Sequence, residues 1–175
     1  MSHETSVISR RTAFAGLAGF AALGLPSLAA SQGAVQWLRS VSVDTSPISN
    51  RGAFAYGRAV NLYLTSALRR TFADRIDPRA KGAPALVARI ESVTMTTFVG
   101  GNRSRFDGGA SGNNDYLDGA GVLIGPGGAA RARYPVLSVL DAASSGSWNS
   151  PDVDAQRLAA LCDHFAWWLR RTMGV

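Results

Sequence analysis

The chain has 175 residues, a formal net charge of +6 at pH 7 and a single cysteine, Cys162. One cysteine excludes a disulfide within the chain. The modest positive charge argues against nucleic acid as the partner.

An uncharged stretch, Thr12 to Ala30, follows the arginine pair Arg10-Arg11. Small residues, among them Ala29 and Ala30, close it. A positively charged region, an apolar region and a cleavage site with small residues are, in this order, typical of an export signal. Three glycines and a proline weaken the stretch as a permanent membrane-spanning helix. We therefore predict that residues 1–31 are a signal peptide removed on export, with an uncleaved N-terminal anchor as the alternative.

The arginine pair, preceded by Ser9, resembles a twin-arginine signal, which implies export as a folded chain; the general secretory route is the alternative. No cysteine lies near the cleavage region, so a lipid anchor is not expected there. Residues 32–175 remain, with a net charge of +5, and suit one periplasmic domain. In a cell envelope this charge favours anionic partners such as lipid or lipopolysaccharide.

The first half of this domain predicts a strand and a long helix. Apolar residues alternate at Val35, Trp37, Val41 and Val43, which indicates a strand with one buried face. After a turn in which Asn50 is a candidate helix cap, residues 52–76 repeat an apolar residue at every fourth position. That row predicts an amphipathic helix, and its members are Tyr56, Val60, Leu64, Leu68, Phe72 and Ile76.

The second half predicts three strands and a closing helix. Residues 84–98 alternate as a strand, and a Gly-rich run, 99–114, is typical of a mobile hairpin connection. Residues 115–124 and 131–143 form two further strands around a Gly-Pro-Gly-Gly turn. The final helix begins near Asp152, and its predicted apolar face consists of Leu158, Leu161, Phe165, Trp168 and Leu169.

The order strand, helix, three strands, helix predicts the fold class. Two amphipathic helices bury their apolar stripes most simply on one face of a meandering sheet. We expect an α+β two-layer sandwich with a mostly antiparallel sheet and both helices on the same face.

The residue inventory contains little that supports catalysis. Without the leader, His164 is the sole histidine, and it lies two residues from Cys162, a spacing that separates the two side chains on a helix. We expect Cys162 to pack as a small apolar group and His164 to lie at the helix rim. The sequence contains no G-x-S-x-G, H-E-x-x-H, Walker or C-x-x-C motif, and we expect no cofactor or zinc site.

Carboxylates give two alternative hypotheses. A small hydrolase would need a carboxylate pair at fixed separation, drawn from Glu91, Asp107, Asp115 and Asp118. Glu91 alternates with Arg89, which instead indicates a solvent-facing strand edge. The run "GNNDYLDGAG" resembles one unit of the nonapeptide repeats that bind calcium, which makes Asp115 and Asp118 weak calcium candidates. A single copy lacks half the ligands of such a site.

Two Arg-x-Arg-aromatic segments predict a site for an anionic ligand. Arginine binds phosphate and carboxylate through paired donors, and a neighbouring ring can stack on it. The segments flank the same predicted strand, and their candidate ligand-binding residues are Arg103, Arg105, Phe106, Arg131, Arg133 and Tyr134. Two solvated hairpin flanks are the alternative. Trp167 and Trp148 are further candidates for a partner surface.

The stretches "LRSVSVD", "LYLTSALRRTF" and "RLAALCDHFAWWLRR" follow a pattern that resembles the lipopolysaccharide-assembly lipoproteins and the auxiliary lipoproteins of envelope ABC transporters. Those families carry an N-terminal lipid-anchored cysteine, which this chain lacks. The resemblance implies a non-enzymatic binding or assembly role in the periplasm.

Overall fold

The computed structural model describes residues 36–96, 114–144 and 150–175, which belong to one compact unit. A four-stranded sheet has the order β1-β2-β3-β4, with β1 parallel to β2 and the other neighbours antiparallel. The elements are β1 (Ser40–Asp44), α1 (Ser46–Ser49), α2 (Phe54–Thr71), β2 (Ala85–Thr94), β3 (Asn114–Ile124), β4 (Ala130–Asp141) and α3 (Val153–Met173). The predicted α+β class and element order are confirmed, with the one-turn α1 as an addition.

Strand β1 is shorter than the sequence predicts. Its alternation holds for Val41 and Val43, which pack against the core, but Trp37 is exposed and Leu38 is buried. The backbone of Leu38 bonds instead to the segment after α2, donating to the Arg75 carbonyl and accepting from the Asp77 amide. These bonds take Leu38 out of the strand register and direct its side chain into the core.

Helix α2 buries its predicted row. Four members are fully buried: Val60, Leu64, Leu68 and Phe72. Tyr56 is nearly half exposed, and Ile76 lies beyond the helix, where it forms a bridge with Leu38. The prediction that Asn50 caps this helix is wrong, because Asn50 ends α1 and α2 begins after Ala53.

The sheet presents one face to α2 and α3. The strands contribute alternate residues to the core, including Leu86, Ala88, Ile90, Leu117, Tyr134 and Val136. Gly121 on β3 allows α3 to approach closely, because a Cβ there would collide with the buried side chain of Leu169. The close contact between helix and sheet therefore depends on a residue without a side chain.

Helix α3 closes the core and runs parallel to α2. Its row is buried at Leu158, Leu161, Phe165 and Leu169, whereas Trp168, also predicted on that row, is exposed. Asp154 in the first turn and Arg170 and Arg171 in the last suit the helix dipole. Within the described residues, no helix combines the length and the apolar character needed to cross a membrane.

Candidate functional site

The second face of the sheet carries Arg133 of the predicted arginine site. We call it the open face, because the described part of the chain places neither α2 nor α3 on it. Its side chains alternate with the core residues, and they include Asp44, Val87, Arg89, Glu91, Tyr116, Asp118, Val122, Arg133 and Leu137. Leu137 is 60% exposed and Tyr116 is 38% exposed. The open face therefore combines apolar surface with charge.

Ion pairs link the charges of β1, β2 and β4 on this face. The Arg89 guanidinium lies 3.3 Å from the Asp44 carboxylate and 3.2 Å from Glu91, and Arg133 approaches Glu91 to 4.0 Å. Hydrogen bonds from Ser46, together with Arg89, lower the pKa of Asp44. Glu91 thus lies on an interior strand, not at a sheet edge, and two arginines share it.

The two described arginines of the predicted patch are exposed on β4. Arg131 lies at a bulge, where its side chain crosses Gly125, and Ala132 between the two arginines packs toward the core. Tyr134 is buried on the core face, so its ring cannot stack on Arg133 from the open face. Arg103, Arg105 and Phe106 lie outside the described residues, as do Asp107 and Trp148.

The described carboxylates do not converge. Asp115 faces the core and is 1% exposed, whereas Asp118 lies on the open face. The Arg157 guanidinium binds both oxygens of Asp115, through Nε at 2.9 Å and Nη2 at 2.5 Å. Asp115 is therefore an ion-pair partner, and within the described ranges no group of three His, Cys, Asp or Glu side chains could hold a metal ion.

The Arg157–Asp115 pair joins the end of β2 to the start of β3, the two segments on either side of residues 97–113. Arg157 also donates to the Thr96 carbonyl and to the Asp154 carboxylate, each at 2.9 Å. The Thr96 amide donates to Asp115, and its hydroxyl donates to the Asn114 carbonyl. No local sequence pattern indicates this pair, because it joins residues 42 positions apart.

A serine and the histidine also meet, which sequence reasoning missed. Ser138 Oγ lies 2.9 Å from His164 Nδ1, and Trp168 Nε1 donates to His164 Nε2 at 2.9 Å. Because Nε2 accepts from the indole, the proton of the neutral ring lies on Nδ1 and is donated to Ser138. Ser138 in turn donates to the Leu161 carbonyl. In this tautomer His164 cannot take a proton from Ser138 through Nδ1.

Burial shifts the pKa values of the histidine and the cysteine. It lowers the pKa of His164, which favours the neutral ring. It raises the pKa of the Cys162 thiol to about 12, and the neighbouring Asp163 adds to the shift. Cys162 is fully buried, as predicted for a small apolar group, and a thiol with this pKa is a poor nucleophile at neutral pH.

Comparison with known proteins finds no family model that matches the chain, and no significant match among curated proteins or solved structures.

Proposed function

We propose that this chain is an exported, non-enzymatic binding or assembly protein of the periplasm. It would hold an anionic envelope ligand, such as lipopolysaccharide, or an acidic partner protein on its open face. The observation that carries the proposal is the composition of that face, where exposed Arg133 precedes exposed Leu137 on β4 and exposed Arg131 lies at the bulge just before them. An amphiphile with phosphate groups and acyl chains offers partners for both kinds of side chain.

The state of the ionisable groups supports binding over catalysis. Asp115 is committed to Arg157, and both ring nitrogens of His164 are engaged. Glu91 pairs with arginines on the open face. Each of these groups therefore has a structural role among the described residues. The export pattern of residues 1–31 and the resemblance to lipopolysaccharide-assembly lipoproteins point to the same compartment.

A binding assay with purified lipopolysaccharide tests this function. The double substitution Arg131→Gln/Arg133→Gln should weaken binding by roughly tenfold or more, since charge-assisted contacts to phosphate are lost. The matched control is Arg51→Gln/Arg58→Gln, which removes the same charge from exposed positions near the start of α2. Equal affinity of the two folded variants would contradict the proposal.

Export is tested separately, by intact-mass analysis of the native protein from the periplasmic fraction. We expect a mass that corresponds to loss of about 30 residues. Recovery of the full-length chain from the cytosol would overturn the assigned compartment.

A further inference from the structure

The described part of the domain has a strongly basic end. The register places the starts of β1 and β2 beside the β3–β4 turn, and the parallel helices α2 and α3 both end there. We call this the basic end. Among the described residues it holds nine basic side chains and three side-chain carboxylates. The basic residues are Arg39, Arg69, Arg70, Arg75, Arg79, Lys81, Arg131, Arg170 and Arg171, and the carboxylates are Asp74, Asp77 and Asp163, the last of which pairs with Arg70.

At the opposite end of the domain, carboxylates outnumber basic side chains. Here seven carboxylates accompany four arginines in the described residues, namely Asp44, Glu91, Asp115, Asp118, Asp141, Asp152 and Asp154 with Arg51, Arg58, Arg89 and Arg157. The helix dipoles account for part of this polarity, since carboxylates favour helix N-termini and cations favour C-termini. They do not account for Arg39, Arg79, Lys81 and Arg131, which lie outside the helices and are exposed.

Exposed tryptophans accompany the basic residues. Trp37, the second of the described residues, is 43% exposed, and Trp167 near the end of α3 is 49% exposed. The ring centroids of Trp167 and Trp168 are 4.9 Å apart. The Arg171 guanidinium lies 5.5 Å from the centroid of the Trp167 ring and 5.4 Å from that of Trp168. The hydrogen bond from Trp168 to His164 fixes its indole. This cluster of Trp167, Trp168 and Arg171 is thus held in place at the surface.

We propose that the basic end docks on the surface of an anionic phospholipid bilayer. Arginine and lysine near such a surface are attracted by its negative potential, and tryptophan is the side chain that most favours the headgroup region. The first described residue, Gln36, lies at this same end of the domain.

The inference goes beyond the proposed function, because it names a different ligand and a surface that shares only Arg131 with the proposed open-face site. The open-face test substitutes Arg131 and Arg133 and measures lipopolysaccharide binding. The bilayer test leaves both residues in place and measures vesicle binding, so either proposal can fail while the other stands.

Flotation with phospholipid vesicles tests the charge. The protein should bind phosphatidylcholine vesicles that contain about one third phosphatidylglycerol, and it should bind pure phosphatidylcholine much more weakly. Arg39→Gln/Arg79→Gln should reduce the affinity for the anionic vesicles about thirtyfold, the effect of two basic residues near the surface. The control Arg51→Gln/Arg58→Gln, at the opposite end, should leave it unchanged. Equal loss in both variants, or no binding to anionic vesicles, would overturn the proposal.

The tryptophan emission spectrum tests the orientation. Binding should shift the emission of the protein to shorter wavelength as indoles enter the headgroup region. Trp167→Ala should reduce both the shift and the affinity, whereas Phe54→Ala, an exposed aromatic residue at the start of α2, should change neither. Binding without a shift would mean that the tryptophans do not face the bilayer and would contradict the proposed end-on docking.

Discussion

At the scale of single residues, the polar groups of the core are few and fully satisfied. Within the described residues, every buried side-chain nitrogen and oxygen has a hydrogen-bond partner. Arg157 and Asp115 form the central pair, and both are about 1% exposed. A charge left alone in such a place costs far more than an exposed one, because solvent cannot replace the lost partner.

Replacing one member of this pair should strongly destabilise the domain. Arg157→Leu leaves the Asp115 carboxylate buried without its main partner, and we expect a loss of about 3–5 kcal/mol in the free energy of unfolding. Arg157→Leu/Asp115→Leu should recover part of that loss. The exposed Arg89→Gln, as control, should cost less than about 1 kcal/mol. Urea denaturation measures the unfolding free energy of all three variants. Similar losses for Arg157→Leu and Arg89→Gln would contradict the role of burial.

His164 should make stability depend on pH in a known direction. Its pKa in the folded protein lies below the ordinary value of 6.5, so the unfolded chain takes up the proton first as the pH falls. The stability that the neutral ring contributes is complete above about pH 6.5 and is lost as the pH falls toward the folded pKa. Protonation also places a hydrogen on Nε2, which accepts the Trp168 N–H.

We therefore expect the free energy of unfolding to fall as the pH falls below about 6.5 toward the lower pKa that His164 has in the folded protein, and to fall less in His164→Gln. Denaturation curves at several pH values measure the two slopes. Near pH 8 the histidine is neutral in both the folded and the unfolded chain. The difference in unfolding free energy between the two proteins at that pH therefore gives the effect of the lost contacts alone. Identical slopes in the two proteins would show that His164 does not contribute.

At the scale of elements, the sheet has two edges with different protection. β1 is short, with five residues, whereas β4 has twelve and forms the other edge of the described sheet. Long edge strands invite pairing with a second chain. Pro135 lies at the middle of β4, where an edge strand tolerates a residue without an N–H group. We infer that this proline limits edge-to-edge association.

Pro135→Val should increase self-association, because it restores a backbone donor and a strand-forming side chain on the edge. Pro126→Val in the β3–β4 turn is the matched control, since it makes the same substitution away from the edge. Light scattering over a concentration series measures the mass of each variant. If both variants behave like the parent protein, Pro135 does not protect the edge.

At the scale of the whole molecule, the compact unit spans Gln32–Val175, and its core is built from residues between Leu38 and Met173. A chain that begins at Gln32 should therefore fold alone. We expect its melting temperature to lie within about 2 °C of that of the full chain, a smaller shift than a loss of about 1 kcal/mol would produce. A large decrease would mean that residues 1–31 contribute to the stability of the fold.

The sequence by itself determined the elements whose apolar residues follow a regular period. The rows of α2 and α3 are buried at Val60, Leu64, Leu161 and Phe165 as predicted, because a helix face is set by local spacing. The sheet and its helices followed from the order of those elements. The period predicted that Trp37 and Trp168 are buried, and both are exposed. Beside Trp37, the backbone bonds of Leu38 change the strand register, and Trp168 instead donates a hydrogen bond to His164.

Only the tertiary structure decided which distant side chains meet. The pairing of Arg157 with Asp115, the contact of Ser138 with His164, the inward turn of Tyr134 and the collection of basic residues at one end all join separate elements. Such contacts depend on strand register and on the parallel course of the two helices. Neither is encoded in a local period, because each is set by the packing of the complete core.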